Sequence, residues 1–168
     1  MAITFDQIKF KFLSLLPLFI LFFISLNGNS IIDLKFFSVN MHYILIYYWV
    51  LKQPQSLGNG FIFLCGIITD VILGLPLGVN ALTFLVVAAV ASYVRIVTVK
   101  IALISDWLGF IPALLVANFI YFLVLYFLNY QIDYLYLFNN SIFTFVFYPI
   151  MWAIFGIILN FMKLGTNA

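Results

Sequence analysis

The stretch that decides the fold reads Gly-Ile-Ile-Thr-Asp-Val-Ile-Leu-Gly-Leu-Pro-Leu-Gly-Val-Asn over residues 66–80. Gly66, Asp70 and Gly74 recur at intervals of four residues, so they share one face of a predicted helix. Small residues on such a face let a second backbone approach closely. We therefore expect this helix to pack tightly on a neighbour, with a carboxylate on the packed face.

Asp70 is the only carboxylate well inside an apolar predicted helix. A charge at the bilayer centre costs roughly 2.5–3.5 kcal/mol, and less toward the end of a helix. Pro76 and Gly78 predict a tight turn, which brings Asn80 and the free N–H groups of the next helix within reach. We interpret Asp70 as a clasp that holds this helical hairpin. Contact with a partner's helix and a substrate or proton role are the alternatives.

The composition of the chain indicates the bilayer as its solvent. Of 168 residues, 67% are hydrophobic and 7% are charged, whereas soluble domains are about 25% charged. The net charge of +2 is too small to predict a nucleic-acid surface. The expected fold class is an all-α integral membrane protein. Its single cysteine, Cys65, lies in an apolar run and is expected to be a buried hydrophobe.

Hydropathy predicts about six membrane-spanning helices in a single transmembrane domain. Each is close to the roughly 17–25 residues that a crossing needs, except the second, which is short. The predicted spans are 12–32, 36–51, 58–75, 77–94, 107–128 and 141–162. The connections between them are too short to hold a separate soluble domain.

The positive charges predict the orientation of these spans. With the N-terminus in the cytoplasm, six of the seven fall on the cytoplasmic side: Lys9, Lys11, Lys52, Arg95, Lys100 and Lys163. Only Lys35 falls on the outer side. The positive-inside rule favours this excess of positive charges on the cytoplasmic side. No small-residue cleavage site follows the first apolar stretch, so we expect it to be an uncleaved helix. Both termini are thus predicted to be cytoplasmic.

Several polar and aromatic residues are better explained by a structural role than by ligand or metal binding. Tyr43, Tyr47, Tyr48 and Trp49 suggest an interfacial aromatic belt, with a ligand-binding cage as the alternative. His42 has no second ligand at metal-binding spacing and is expected at the outer surface.

Asp106 follows two cations near the cytoplasmic side. We expect it to form an interfacial ion pair with Arg95 or Lys100. No nucleophile motif, phosphate-binding loop, zinc-binding motif or close carboxylate pair is present. The sequence therefore predicts no catalytic residue, no metal site and no cofactor.

Two segments resemble the rod-shape-determining protein MreD family. Residues 48–54, Tyr-Trp-Val-Leu-Lys-Gln-Pro, resemble the end of the family's second helix. The spacing of Gly66, Asp70, Gly74, Pro76 and Gly78 resembles the family's glycine–aspartate segment. The detailed likeness covers residues 47–93, and the remainder agrees in hydropathy.

The resemblance implies a fold similar to the six-helix substrate-binding subunits of energy-coupling-factor transporters. It also implies a non-catalytic scaffold of the bacterial cell-elongation complex, which regulates cell shape and peptidoglycan synthesis. The implied partners are MreC, RodA and its transpeptidase, indirectly MreB, and the lipid bilayer. The alternatives are a transporter subunit that binds a small metabolite and an intramembrane enzyme acting on a lipid-linked sugar.

The predicted topology can be tested with reporter fusions. Fusions after Ser56 and Gly165 should report a cytoplasmic location, and a fusion after Asn139 should report an outer location, because six crossings alternate the sides. An outer signal from the Gly165 fusion would contradict an even number of crossings.

Overall fold

The computed structural model describes residues 15–27, 33–34, 37–98, 103–130 and 133–164. In chain order its elements are α1 Leu16–Asn27, β1 Asp33–Leu34, β2 Phe37–Ser38, α2 Met41–Lys52, α3 Asn59–Leu73, α4 Val79–Val97, α5 Leu103–Phe127 and α6 Tyr134–Leu164. The two short strands pair as an antiparallel hairpin. Residues 12–14 and 28–32 of the predicted first span lie outside the described residues, as do Lys9, Lys11, Lys35, Lys100 and Gly165.

Three of these helices are long and apolar enough to cross a membrane. They are α4 with 19 residues, α5 with 25 and the first 27 residues of α6. Helices α1 and α3 are also apolar but have 12 and 15 residues, fewer than the roughly 20 that a straight crossing needs. The chain is therefore a helical, membrane-embedded protein, and the count of six crossings stays a prediction.

Helix α2 is the centre of the bundle. Its residues 41–51 are all buried, because α1, α4, α5 and α6 pack around it. The aromatic residues Tyr47, Tyr48 and Trp49 are at most 2% exposed. The expected interfacial belt is therefore wrong for these side chains.

The physical reason lies in what surrounds α2. Tyr47 packs against Phe110 of α5 and Tyr148 of α6, with ring centroids 4.9 and 5.8 Å apart. Tyr48 contacts Phe155 at 5.3 Å. Rings enclosed by four helices bury their whole surface and gain edge and face contacts, which a place at the membrane surface would not provide.

Polar caps set two boundaries that hydropathy misplaces. Helix α2 begins at Met41, because the Asn40 side chain accepts a hydrogen bond from the N–H of Tyr43. Helix α6 begins at Tyr134 rather than at Ser141, because the Asp133 carboxylate accepts the first free N–H groups of that helix. Residues 134–140, which lie between the fifth and sixth predicted spans, are therefore helical.

Helices α3 and α4 approach each other at Gly66. A Cβ atom placed on Gly66 would lie 2.6 Å from the backbone N of Ala81 in α4. Gly74 acts differently, since nothing lies within 4 Å of the position of its Cβ. It ends α3 in the left-handed conformation, with φ of +63°. Gly66 thus serves helix packing, and Gly74 serves the turn.

Alanine at Gly66 should destabilise the protein. The added methyl group has no room against the Ala81 backbone, and overpacking of this kind costs about 1–3 kcal/mol. Gly60 lies in the same helix with open space around it, so Gly60→Ala should leave stability unchanged or slightly higher. Thermal unfolding of the two variants in detergent checks this pair. Equal stability of both would contradict the close approach of α3 and α4.

Candidate functional site

Asp70 connects the end of α3 to the start of α4. Its Oδ2 accepts the backbone N–H of Gly78 at 2.8 Å. Its Oδ1 accepts both the backbone N–H and the side-chain amide of Asn80, each at 2.9 Å. The Asp70 side chain is fully buried, so these three donors replace the water that the carboxylate has lost. They are the contacts that the clasp interpretation predicts.

The turn between the helices places these donors. The N–H of Leu75 returns to the carbonyl of Asp70 at 2.9 Å, which closes the end of α3 around Gly74. Gly78 has φ of +103° and turns the chain into α4. The first N–H groups of α4 have no carbonyl partner within the helix, and the helix dipole there favours a negative charge.

Asp106 forms a second buried polar centre at the opposite end of α2. Its Oδ2 lies 2.6 Å from Lys52 Nζ and accepts the indole N–H of Trp152 at 2.9 Å. The hydroxyl of Tyr47 donates to the backbone carbonyl of Asp106 at 3.2 Å. This centre joins the last turn of α2, the first turn of α5 and the middle of α6.

The expected interfacial pair of Asp106 with Arg95 or Lys100 is therefore wrong for Arg95. Asp106 is 1% exposed and its partner is Lys52, because α2 ends beside the start of α5. Arg95 is exposed and has no ion pair within the described part of the chain, and Lys100 lies outside it. The sequence offered one clue to Lys52, since the predicted topology places both residues on one side. It did not choose among the competing cations.

A polar cavity of about 310 Å³ opens at the end of the bundle where α2, α4 and α6 begin. Its polar wall is formed mainly by amides, phenols and one carboxylate: Asn40, Tyr43, Thr69, Asn80, Asn118, Tyr121, Tyr130, Asp133, Tyr136 and Asn140. Of these residues the sequence singled out Asn80, as a partner of Asp70, and Tyr43, as part of an aromatic belt or cage. The polar groups come from five separate segments and meet only in the folded chain.

His42 belongs to this cavity and not to the outer surface as expected. It lines the cavity, is 4% exposed and stacks on Phe84 with centroids 4.9 Å apart. Its Nε2 has no hydrogen-bond partner among the described residues. No group of three potential metal ligands occurs within the described ranges.

An apolar groove of about 580 Å³ runs between α5 and α6. It is lined almost entirely by hydrocarbon and aromatic side chains: Ile111, Leu114, Leu115, Phe122, Tyr134, Leu137, Phe138, Ile142 and Phe145, with Asn118 and Ser141. Asn118 and Leu137 also line the polar cavity, so the two depressions adjoin.

No protein-family model, curated protein or solved structure matches this chain. The likeness to MreD proteins therefore rests on the two sequence segments alone. The structure places both segments in the bundle, one in α2 and the connection after it, the other at the hairpin of α3 and α4.

Removing the Asp70 carboxylate should test the clasp. Asp70→Leu leaves the two buried donors of Asn80 and the partly buried N–H of Gly78 unpaired, and it should lower the stability of folded protein in detergent by about 1–3 kcal/mol. Asp70→Asn retains an acceptor for Asn80 and should cost clearly less. Thermal unfolding measures both. Normal stability of Asp70→Leu together with lost partner binding would assign Asp70 to an interface instead.

Proposed function

We propose that this chain is a non-catalytic membrane scaffold of the bacterial cell-elongation complex, as the resemblance to MreD proteins implies. In this proposal it crosses the inner membrane six times, with both termini in the cytoplasm. It binds MreC directly and acts with RodA, its transpeptidase and MreB to place wall synthesis. Its fold is of the energy-coupling-factor substrate-binding kind.

The observation that carries the proposal is the location of the two MreD-like segments. Tyr48 and Trp49 are buried in the central helix, and Lys52 of the same segment forms the ion pair with Asp106. In the other segment, Gly66 gives α4 its close approach and Asp70 holds the hairpin. The residues that carry the resemblance are thus those that hold the bundle together, which supports a shared fold.

Most of the described chain lies in helices rather than in connections, which supports a role through contacts within the membrane. Helices α5 and α6 are the longest, and most of their described residues are exposed or only partly buried. The described connections between helices are short. Association with another membrane protein would therefore use helix faces, where packing and interhelical hydrogen bonds supply the affinity.

Co-purification and cell shape test the scaffold role. The chain should co-purify with MreC in mild detergent, because each partner stabilises the folded form of the other. Depletion in a rod-shaped host should give rounded cells with misplaced wall synthesis. Gly66→Leu should reduce both folded protein and MreC recovery, whereas the matched variant Gly60→Leu should retain both.

Unchanged rods after depletion, together with no recovered MreC, would contradict the scaffold role. That result would favour the second candidate, a transporter subunit that binds a small metabolite. The observation favouring this candidate is the polar cavity, since ligand sites combine an enclosed space with a few converging polar groups.

A further inference from the structure

The polar cavity and the apolar groove share a wall. Asn118 and Leu137 line both, and the hydrogen bond from the Asn118 amide to Ser141 at 2.8 Å lies at the boundary. A polar space that adjoins an apolar groove matches the two parts of an amphiphile. One side can hold a head group and the other a hydrocarbon chain.

The cavity has spare hydrogen-bond acceptors. One N–H of the Asn80 amide is committed to Asp70 Oδ1. One N–H of the Asn118 amide donates to Ser141, whose own hydroxyl donates to the carbonyl of Leu137. This chain of bonds fixes which amide atom is the oxygen. The amide oxygens of Asn80 and Asn118 therefore remain as acceptors that a donating ligand can use, and the charge around the cavity decides which ligands are favoured.

The charge around the cavity is negative. Asp133 lines its wall, and the buried carboxylate of Asp70 lies directly behind Asn80. The described residues of the wall include no Lys or Arg. The rings of Tyr121, Tyr130 and Tyr136 line the cavity and are not buried, so they add aromatic surface, and the faces of such rings attract cations. These features favour a donor with positive charge over an anion.

We propose that the cavity and groove together bind one membrane lipid whose head group ends in an ammonium. The ammonium occupies the polar cavity, where it donates to the free amide oxygens and faces the aromatic rings. One acyl chain lies in the groove between α5 and α6. This lipid site does not depend on the proposed scaffold role. The lipid experiments below therefore neither support nor contradict that role, which is tested by MreC recovery and cell shape.

A competition between two lipids tests the head-group assignment. The full chain is purified in detergent with equal amounts of palmitoyl-oleoyl phosphatidylethanolamine and phosphatidylglycerol, and bound lipid is measured by mass spectrometry. The two lipids have the same acyl chains and the same phosphate. Their head groups differ, because phosphatidylethanolamine ends in an ammonium and phosphatidylglycerol ends in hydroxyl groups. Phosphatidylethanolamine should be retained about tenfold over phosphatidylglycerol. Equal retention would overturn the assignment and show lipid bound only by its chains.

Free ethanolamine distinguishes a lipid from a soluble amine. It carries the same ammonium without the chain, so at the lipid's concentration it should not displace phosphatidylethanolamine. Displacement at equal concentration would overturn the role of the groove and assign the cavity to a soluble amine.

Two variants distinguish the role of the Asn118 amide oxygen from the role of the hydrogen bond that joins α5 and α6. Asn118→Leu removes one of the two amide acceptors and should lower the preference for phosphatidylethanolamine. Ser141→Ala breaks the same hydrogen bond between α5 and α6 but keeps the Asn118 amide oxygen, so it should retain the preference. Loss of the preference in both variants would overturn the assignment of that acceptor to the ammonium.

A second matched pair of variants tests whether the acyl chain lies in the groove. Leu115 and Leu108 lie seven residues apart on the same face of α5, and both are exposed. Only Leu115 lines the groove. Leu115→Trp should fill the groove and lower the bound phosphatidylethanolamine, whereas Leu108→Trp should not. Equal binding by both variants would overturn the place of the acyl chain.

Discussion

The buried carboxylate of Asp70 fixes the geometry on which one end of the bundle depends. A charge this deep in the protein persists because three donors from the start of α4 meet it. Those donors are in reach only because α3 ends at Gly74 and the chain reverses within five residues. The reversal in turn brings Gly66 against the backbone of Ala81. The hydrogen bonds and the helix contact therefore support each other.

The carboxylate of Asp106 stabilises the other end of the bundle through different partners. Asp106 is paired with a cation rather than with backbone groups, and the indole of Trp152 shares the same oxygen. Since Asp106 lies in α5 and its partners belong to α2 and α6, this centre links helices that are far apart in sequence. The central helix α2 is thus tied to the bundle at its Lys52 end by charge and along its length by aromatic packing.

One wall of the polar cavity depends on the Asp70 clasp. Asn80 gives its amide N–H to the carboxylate, and its oxygen is left as an acceptor in the wall. In the same way Asn118 gives its N–H to Ser141. Hydrogen bonds that stabilise the fold therefore leave two amide oxygens as acceptors in the cavity wall.

The sequence by itself determined the solvent and the local geometry of the hairpin. Composition and apolar runs identify a helical membrane protein, because such surface has no place in water. The spacing of Gly66, Asp70 and the turn after it is local, so the clasp could be predicted from neighbours in the chain. Cys65 was likewise predicted to be buried, and it is.

Only the tertiary structure decided which helix lies at the centre and which charges pair. Hydropathy alone did not distinguish lipid from protein around α2, since both surroundings are apolar, so its aromatic rings were misplaced at the membrane surface. The partner of Asp106 and the walls of the cavity come from helices distant in sequence. Which of several cations or amides meets a given group depends on how those helices pack, and no local pattern encodes that choice.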